Sequence, residues 1–124
     1  WDEAIGYFET AIAFFEKQFG PVHYEIAINF NNLAASLQAK GDLDQAEQAY
    51  RRALAIKETL LGENHPDVAI SLNNLASLLQ QTDKLAEARG VFERAISIFE
   101  ATVGPEHPNT RLCRQNAANL LSGT

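Results

Sequence analysis

The sequence predicts an all-α fold of tandem helix-turn-helix repeats, and three observations predict it. Residues of one type recur 42 positions apart: Gly20, Gly62 and Gly104, then His23, His65 and His107, then Asn32, Asn74 and Asn116, then Ala34, Ala76 and Ala118. A second set repeats at the same period: Ala4, Ala46 and Ala88, then Phe8, Tyr50 and Phe92, then Ala11, Ala53 and Ala95. Self-similarity at one fixed period is the mark of a repeat architecture. Inside each period the apolar residues fall three and four apart, which is helical spacing. Glycine, proline and aspartate interrupt these stripes at regular places. One helix pair cannot bury its apolar faces alone, so the units are expected to stack into a solenoid.

Six helices are expected, at 2–19, 23–39, 43–61, 66–81, 85–103 and 108–121. The first carries Trp1, Ile5, Phe8, Ile12, Phe15 and Phe19 on one stripe. The second stops at Gly41, a residue suited to the left-handed conformation that closes a helix. The third opens on Asp42 with Gln45 three residues on, the spacing of a capping box. Its stripe is Leu43, Ala46, Tyr50, Ala53 and Leu60, and Gly62 ends it. The fourth begins at Pro66, which has no N–H to leave unpaired in the first turn. Asp67 beside it favours the positive end of the helix dipole. Val68, Leu72, Leu75 and Leu79 follow, with Ala69 and Ala76. In the next turn Asp83 stands where the previous unit has Gly41, and aspartate tolerates left-handed geometry better than most residues. The fifth helix repeats the small–aromatic–small pattern at Ala88, Phe92 and Ala95. The sixth offers Leu112, Leu120 and Leu121, and its last turn before Ser122-Gly123-Thr124 is expected to fray. The alanines at recurring places predict close helix crossings, which the aromatic residues fill.

These elements make one repeat domain over 1–124, with a half unit at 1–19, full units at 20–61 and 62–103, and a half unit at 104–124. The chain has no Met and opens Trp1-Asp2-Glu3. It therefore reads as part of a longer protein with further repeats beside it, and neither end reads as a polar capping helix.

No apolar run approaches the roughly 18 residues of a membrane span. No basic leader with an apolar core opens the chain. A formal charge of −6 repels phosphate backbones and anionic lipid heads, so neither nucleic acid nor a membrane is an expected partner. Cys113 is the only cysteine, so no disulfide forms within the chain; it is expected as a small core residue. The lone cysteine fits a reducing compartment, and a cytoplasmic location is expected.

The stretch AYRRALAIKETLLGENHPDVAISLNNLASLL, from Ala49 to Leu79, resembles the tetratricopeptide repeats of the long, 42-residue branch found in kinesin light chains and nephrocystin-3. The resemblance covers nearly the whole chain. It implies a right-handed superhelical solenoid in which the first helix of each pair lines a concave face and the second forms the convex face. It also implies binding of other proteins rather than catalysis.

Three histidines at fixed spacing raise the question of a metal. Equivalent places in stacked units lie about a helix diameter apart, roughly 10 Å, whereas zinc holds nitrogen at about 2 Å. The histidines are therefore expected to serve helix entry, as His65-Pro66 and His107-Pro108 suggest, and no metal or other cofactor is expected. No Gly-x-Ser-x-Gly, phosphate-cradling glycine loop or His-Glu-x-x-His occurs, so no catalytic residue is assigned and the chain is expected not to be an enzyme. Asp44, Glu47, Glu58, Glu87 and Glu93 fall on outward faces, a solvated pattern with i,i+4 pairing.

The carboxamides carry the binding expectation. Mapped onto the implied concave face, Ile28, Asn31, Ala35 and Gln38 point outward in the first unit, followed by Ile70, Asn73, Ser77, Gln80 and Gln81, then Leu112, Gln115 and Asn119. A carboxamide donates and accepts, so a ladder of them can hold the backbone of an extended peptide. Asn31, Gln38, Asn73, Asn74, Gln80, Gln115 and Asn119 are the candidate groove residues. Asn32, Asn74 and Asn116 have an alternative role, fastening one helix to its neighbour.

Relatives that bind chaperone tails grip a terminal carboxylate with Lys, Asn and Arg. Of those places only Asn74 keeps its type here; Asn31, Ala35, Leu112 and Asn116 replace the rest, so a carboxylate clamp is not expected. The expected function is a scaffold that binds a peptide segment of a protein partner in the groove. The alternatives are a self-assembling structural module and a docking or regulatory arm of a larger signalling protein or enzyme. Self-association through exposed apolar surface on the first and last helices is also expected.

Overall fold

The computed structural model describes residues 1–121, with nothing said of the Leu121 side chain; the expected fraying at Ser122-Gly123-Thr124 lies outside the described residues. The chain forms six helices: α1 (Asp2–Phe19), α2 (Tyr24–Lys40), α3 (Leu43–Leu61), α4 (Pro66–Gln81), α5 (Leu85–Thr102) and α6 (Pro108–Leu121). No strand occurs among the described residues. Four of the helices have the expected limits. The second begins one residue later, because His23 is its extended N-cap, and ends one residue later, at Lys40; the fifth ends at Thr102 rather than Val103.

Helix entry is the work of the histidines. His23 Nδ1 accepts the Glu25 N–H at 3.1 Å, His65 Nδ1 accepts that of Asp67 at 3.0 Å, and His107 Nδ1 accepts that of Asn109 at 3.1 Å. Each satisfies one of the N–H groups that the first turn of a helix leaves without an intrahelical partner. The aspartate expected to cap the third helix does not do so. Asp42 makes no side-chain cap bond and sits at φ −82°, ψ 71°, away from the extended conformation that aims a capping side chain at the helix. Its carboxylate lies instead 3.8 Å from Lys40.

The two tight turns close as expected. Gly41 adopts φ 101°, and the Asp42 N–H reaches back to the Leu37 carbonyl at 2.9 Å. In the next unit Asp83 takes φ 65°, and the Lys84 N–H reaches the Leu79 carbonyl at 2.8 Å. Both are the bond from C″ to C3 of a Schellman cap.

Contacts divide the chain into two units, Trp1–Gly62 and a second beginning at Glu63. In the first, α2 packs against both α1 and α3. Ile26, Ala27, Ala34, Ala46 and Ala53 are fully buried there. In the second, α5 packs against α4 and α6, and α6 also meets α4. Phe92 is fully enclosed, with Val68, Leu75, Leu79, Ala88 and Ala95 buried beside it. Ala34, Ala46, Ala53, Ala76, Ala88 and Ala95 of the repeat are thus fully buried between helices. Cys113 is a core residue, and burial pushes its thiol up to about 11.

The apolar stripe expected to be uncovered on α1 is uncovered only at its two ends. Ile12 is buried, and Ile5, Phe8 and Phe15 are half-buried, on the side of the helix that bears on α2. Trp1 and Phe19 of that stripe are exposed, and so are Tyr7 and Phe14 beside it. On α6, Leu112 is exposed but Leu120 is buried. The outer flank of α6 also carries Arg111 and Arg114, both exposed. Their counterparts one and two repeats earlier are Ala69 and Ala27, and Leu72 and Phe30, all buried. That flank is polar, contrary to expectation. Of the five carboxylates expected to point outward, Asp44, Glu87 and Glu93 are exposed, while Glu47 and Glu58 are half-buried. Glu47 forms an i,i+4 ion pair with Arg51 at 3.0 Å.

Candidate functional site

In the second unit α4 meets α6, and one carboxamide contact crosses between them. Asn116 Nδ2 donates to Asn73 Oδ1 at 3.3 Å, which ties the two helices to each other. Gln115 Nε2 donates to Asn119 Oδ1 at 3.2 Å along one turn of α6. Ile70 and Leu112, 37% and 55% exposed, stand in equivalent places one turn before Asn73 and Gln115. The face therefore alternates aliphatic and carboxamide groups. Asp67 is the only charged residue in α4. Gln80 and Asn74 are half-buried on α4, while Gln115 and Asn119 are exposed.

The fastening role expected of the repeated asparagines is seen at Asn116. Asn32 is exposed. Asn73 was expected to stand outward, but it is half-buried, because its oxygen is taken by Asn116. Its amide N–H groups remain the donors that it can offer.

In the first unit, Asn31 and Gln38 sit seven residues apart on α2. Asn31 also falls short of the outward position expected. It is half-buried, and its Oδ1 is enclosed without a hydrogen-bond donor. Such an acceptor costs about 1–3 kcal/mol relative to a satisfied one. Gln38 Oε1 accepts the Tyr50 hydroxyl at 3.0 Å, which joins α2 to α3. Burial raises the Tyr50 phenol above its ordinary value, so this donor keeps its proton at neutral pH.

A feature that the sequence reading passed over lies elsewhere in the first unit. A cleft of about 710 Å³ opens over Phe30, Leu33 and Leu37 of α2, between Glu9 of α1 and the Gln45, Gln48, Arg51 and Arg52 side of α3. The Arg52 guanidinium lies 4.8 Å above the Phe30 ring and 3.8 Å from Glu16. The signal was available only in part. Phe30 is apolar on an apolar stripe, and nothing in its spacing tells a floor from a core. Near the mouth of α2, Lys40 holds Asp2 at 2.9 Å; this contact keeps the Asp2 carboxyl below its ordinary value and the Lys40 ammonium above its own.

Among the described residues, no group of three or more His, Cys, Asp or Glu side chains could hold a metal ion. No helix among them is long and apolar enough to cross a membrane.

Comparison with known proteins agrees with the architecture. The sequence model of the tetratricopeptide repeat matches residues 1–59, 25–101 and 67–124. A kinesin-light-chain structure from Podosopora anserina with nearly identical TPR-like repeats superposes with a TM-score of 0.80 at 25% identity, over 98% of this chain and 57% of that one. BtubC (BKLC) from P. vanneervenii superposes with a TM-score of 0.90 at 25% identity, over 98% of this chain and 48% of that one. The chain thus spans about half the length of these structures. No curated protein matches it. Repeats of this kind are in general protein-interaction scaffolds. Overlapping matches from end to end, six helices in the expected register and these neighbours place the chain in the tetratricopeptide repeat family, in its kinesin-light-chain-like branch.

Proposed function

We propose that the chain is a protein-binding module that receives a peptide segment of a partner on its first-of-pair helices, above all on α4 and α6 of the second unit. The observation that carries the reading is the paired face of α4 and α6. There the exposed Ile70 and Leu112 alternate with Asn73, Gln115 and Asn119. Aliphatic groups supply apolar contact, and carboxamides can meet both the N–H and the C=O of an extended backbone. A face with so little charge favours a segment read through its backbone and one or two apolar side chains over one read through a terminal carboxylate. Asn31, Gln38, Asn74 and Gln80 belong to the same proposal with smaller roles, because all four are half-buried and Gln38 is already engaged by Tyr50.

The test is selection of a random-peptide library displayed on phage against the chain, followed by measurement of the selected peptides on a variant with Asn73 and Gln115 both changed to Ala. Peptides that bind the chain are expected to lose about tenfold or more on the variant, while its helical circular dichroism stays the same; tenfold corresponds to about 1.4 kcal/mol. Peptides that bind both proteins equally and protect α3 or α5 in hydrogen exchange would refute the reading.

A further inference from the structure

We propose that the cleft of the first unit binds a small carboxylic acid with an apolar tail, of the medium-chain or aryl-alkyl kind. The cleft is complete within that unit. Helix α2 forms its floor, α1 supplies one wall and α3 the other. Its volume of about 710 Å³ falls in the range of small-molecule sites. It uses none of the residues of the α4 and α6 face and stands independently of the peptide reading.

The floor suits the tail. Phe30, Leu33 and Leu37 follow one another on α2 at spacings of three and four, so they form one apolar line about 10 Å long. They keep 9%, 8% and 6% of their surface, whereas their counterparts one repeat later, Leu72, Leu75 and Leu79, keep 2%, 1% and 0%. The same line is sealed in one unit and open in the other. Ala49 and Ala55 of α3 border it, and both are too short to fill the space above it. An extended octanoate chain has close to that length.

The charge over one end of the line suits the head. The exposed Arg52 holds its guanidinium 4.8 Å above the Phe30 ring, where the ring face attracts a cation. The Glu16 carboxylate of α1 lies 3.8 Å from it, beyond the reach of an N–H···O hydrogen bond. The planar fork therefore keeps donors for an incoming carboxylate, which it can grip through two parallel bonds. Arg51 is already engaged by Glu47 at 3.0 Å, which leaves Arg52 as the head-group partner. Glu9 on the α1 wall repels an anion and so directs the head to the α3 wall. The tail then runs toward Leu33 and Leu37, beside the uncharged Gln45 and Gln48. A cationic head would meet two arginines against Glu9 alone, and a neutral apolar molecule would leave the fork unused.

The experiment is isothermal titration calorimetry of the chain with octanoate. One saturable site per chain is expected, with a dissociation constant below about 1 mM. Octanol keeps the tail without the carboxylate, and acetate keeps the carboxylate without the tail; each is expected to bind about tenfold more weakly or worse. Arg52→Gln is expected to weaken octanoate binding by about tenfold. Glu16→Gln removes the competing carboxylate and is expected to tighten it. Ala55→Trp, a change at an exposed place that fills the cleft, is expected to abolish it. Unchanged helical circular dichroism will show that each variant keeps the fold. Absence of a saturable site in the parent chain would overturn the proposal. So would octanol binding as tightly as octanoate, or an affinity for octanoate that Arg52→Gln and Ala55→Trp leave unchanged.

Discussion

Helices α1 and α5 occupy the same place in the repeat and carry the same pattern, yet they live in different surroundings. In α5, Ala88, Phe92, Ala95 and Ile98 are all buried, between α4 on one side and α6 on the other. In α1, the matching Ala4, Phe8 and Ala11 are half-buried, and Phe14 is exposed. Residue type is nearly constant between the two; what differs is the packing, since α1 bears chiefly on α2 whereas α5 is held by both α4 and α6. A repeat fixes which groups can be buried. Whether they are is decided by the helices packed on either side.

That contrast can be broken first at the aromatic. Phe92→Ala empties a fully enclosed site and is expected to cost about 3–5 kcal/mol. Phe8→Ala, the same change at a half-buried site, is expected to cost less than half as much; denaturant melts of the two variants compare them directly. Equal losses would show that α1 is as tightly held as α5.

Small residues sharpen the contrast from the other side. Ala53 and Ala95 are fully buried, and enlarging either to Leu is expected to overpack its crossing at a cost of about 1–3 kcal/mol. Ala11→Leu is expected to cost well under 1 kcal/mol, because α1 has open space on one flank. A series of thermal melts will order the three.

Cys113 gives a smaller effect with a definite sign. The thiol titrates near 11 in the folded protein, against an ordinary 9.0, so the unfolded chain releases its proton first as pH rises. Stability is therefore lost on the alkaline side, by about 1 kcal/mol between pH 7 and pH 10. A Cys113→Ser variant is expected to lose less over the same interval in urea melts.

The helix entries give an effect of similar size. His65→Ala removes the acceptor for the Asp67 N–H and is expected to cost about 1 kcal/mol. His65→Asn supplies another acceptor and is expected to recover most of that loss. His65→Gln is expected to cost far less than Ala53→Leu, and added zinc is expected to leave the melting temperature of the parent unchanged. A marked rise with zinc would mean that the histidines hold metal.

Much of this architecture was legible beforehand, for a physical reason. Helix limits follow from turn chemistry that Gly41, Asp83, Pro66 and Pro108 announce locally, and the alanine crossings follow from the period. What stayed hidden depended on partners distant in sequence. Asn73 reads as an outward carboxamide until Asn116, 43 residues away, takes its oxygen. Phe30 reads as core until the cleft above it is seen. Asp42 looked like a cap because its residue type and spacing were right, but the backbone at φ −82°, ψ 71° aims its side chain elsewhere. The α1 stripe failed differently. Both of its flanks are apolar, and periodicity alone does not say which one α2 will choose.

The pattern of neighbours has a bearing on biosynthesis. Within each unit the helices pack chiefly against their neighbours in the chain, and the farthest such pairing joins α4 to α6. Nothing in the first unit has to wait for a strand or helix made much later. At the usual ribosomal pace of roughly 5–20 residues per second, α1 to α3 can emerge and pack within seconds, while α5 and α6 are still to be translated. Apolar surface within each unit is then exposed during translation for little longer than it takes to make one helix.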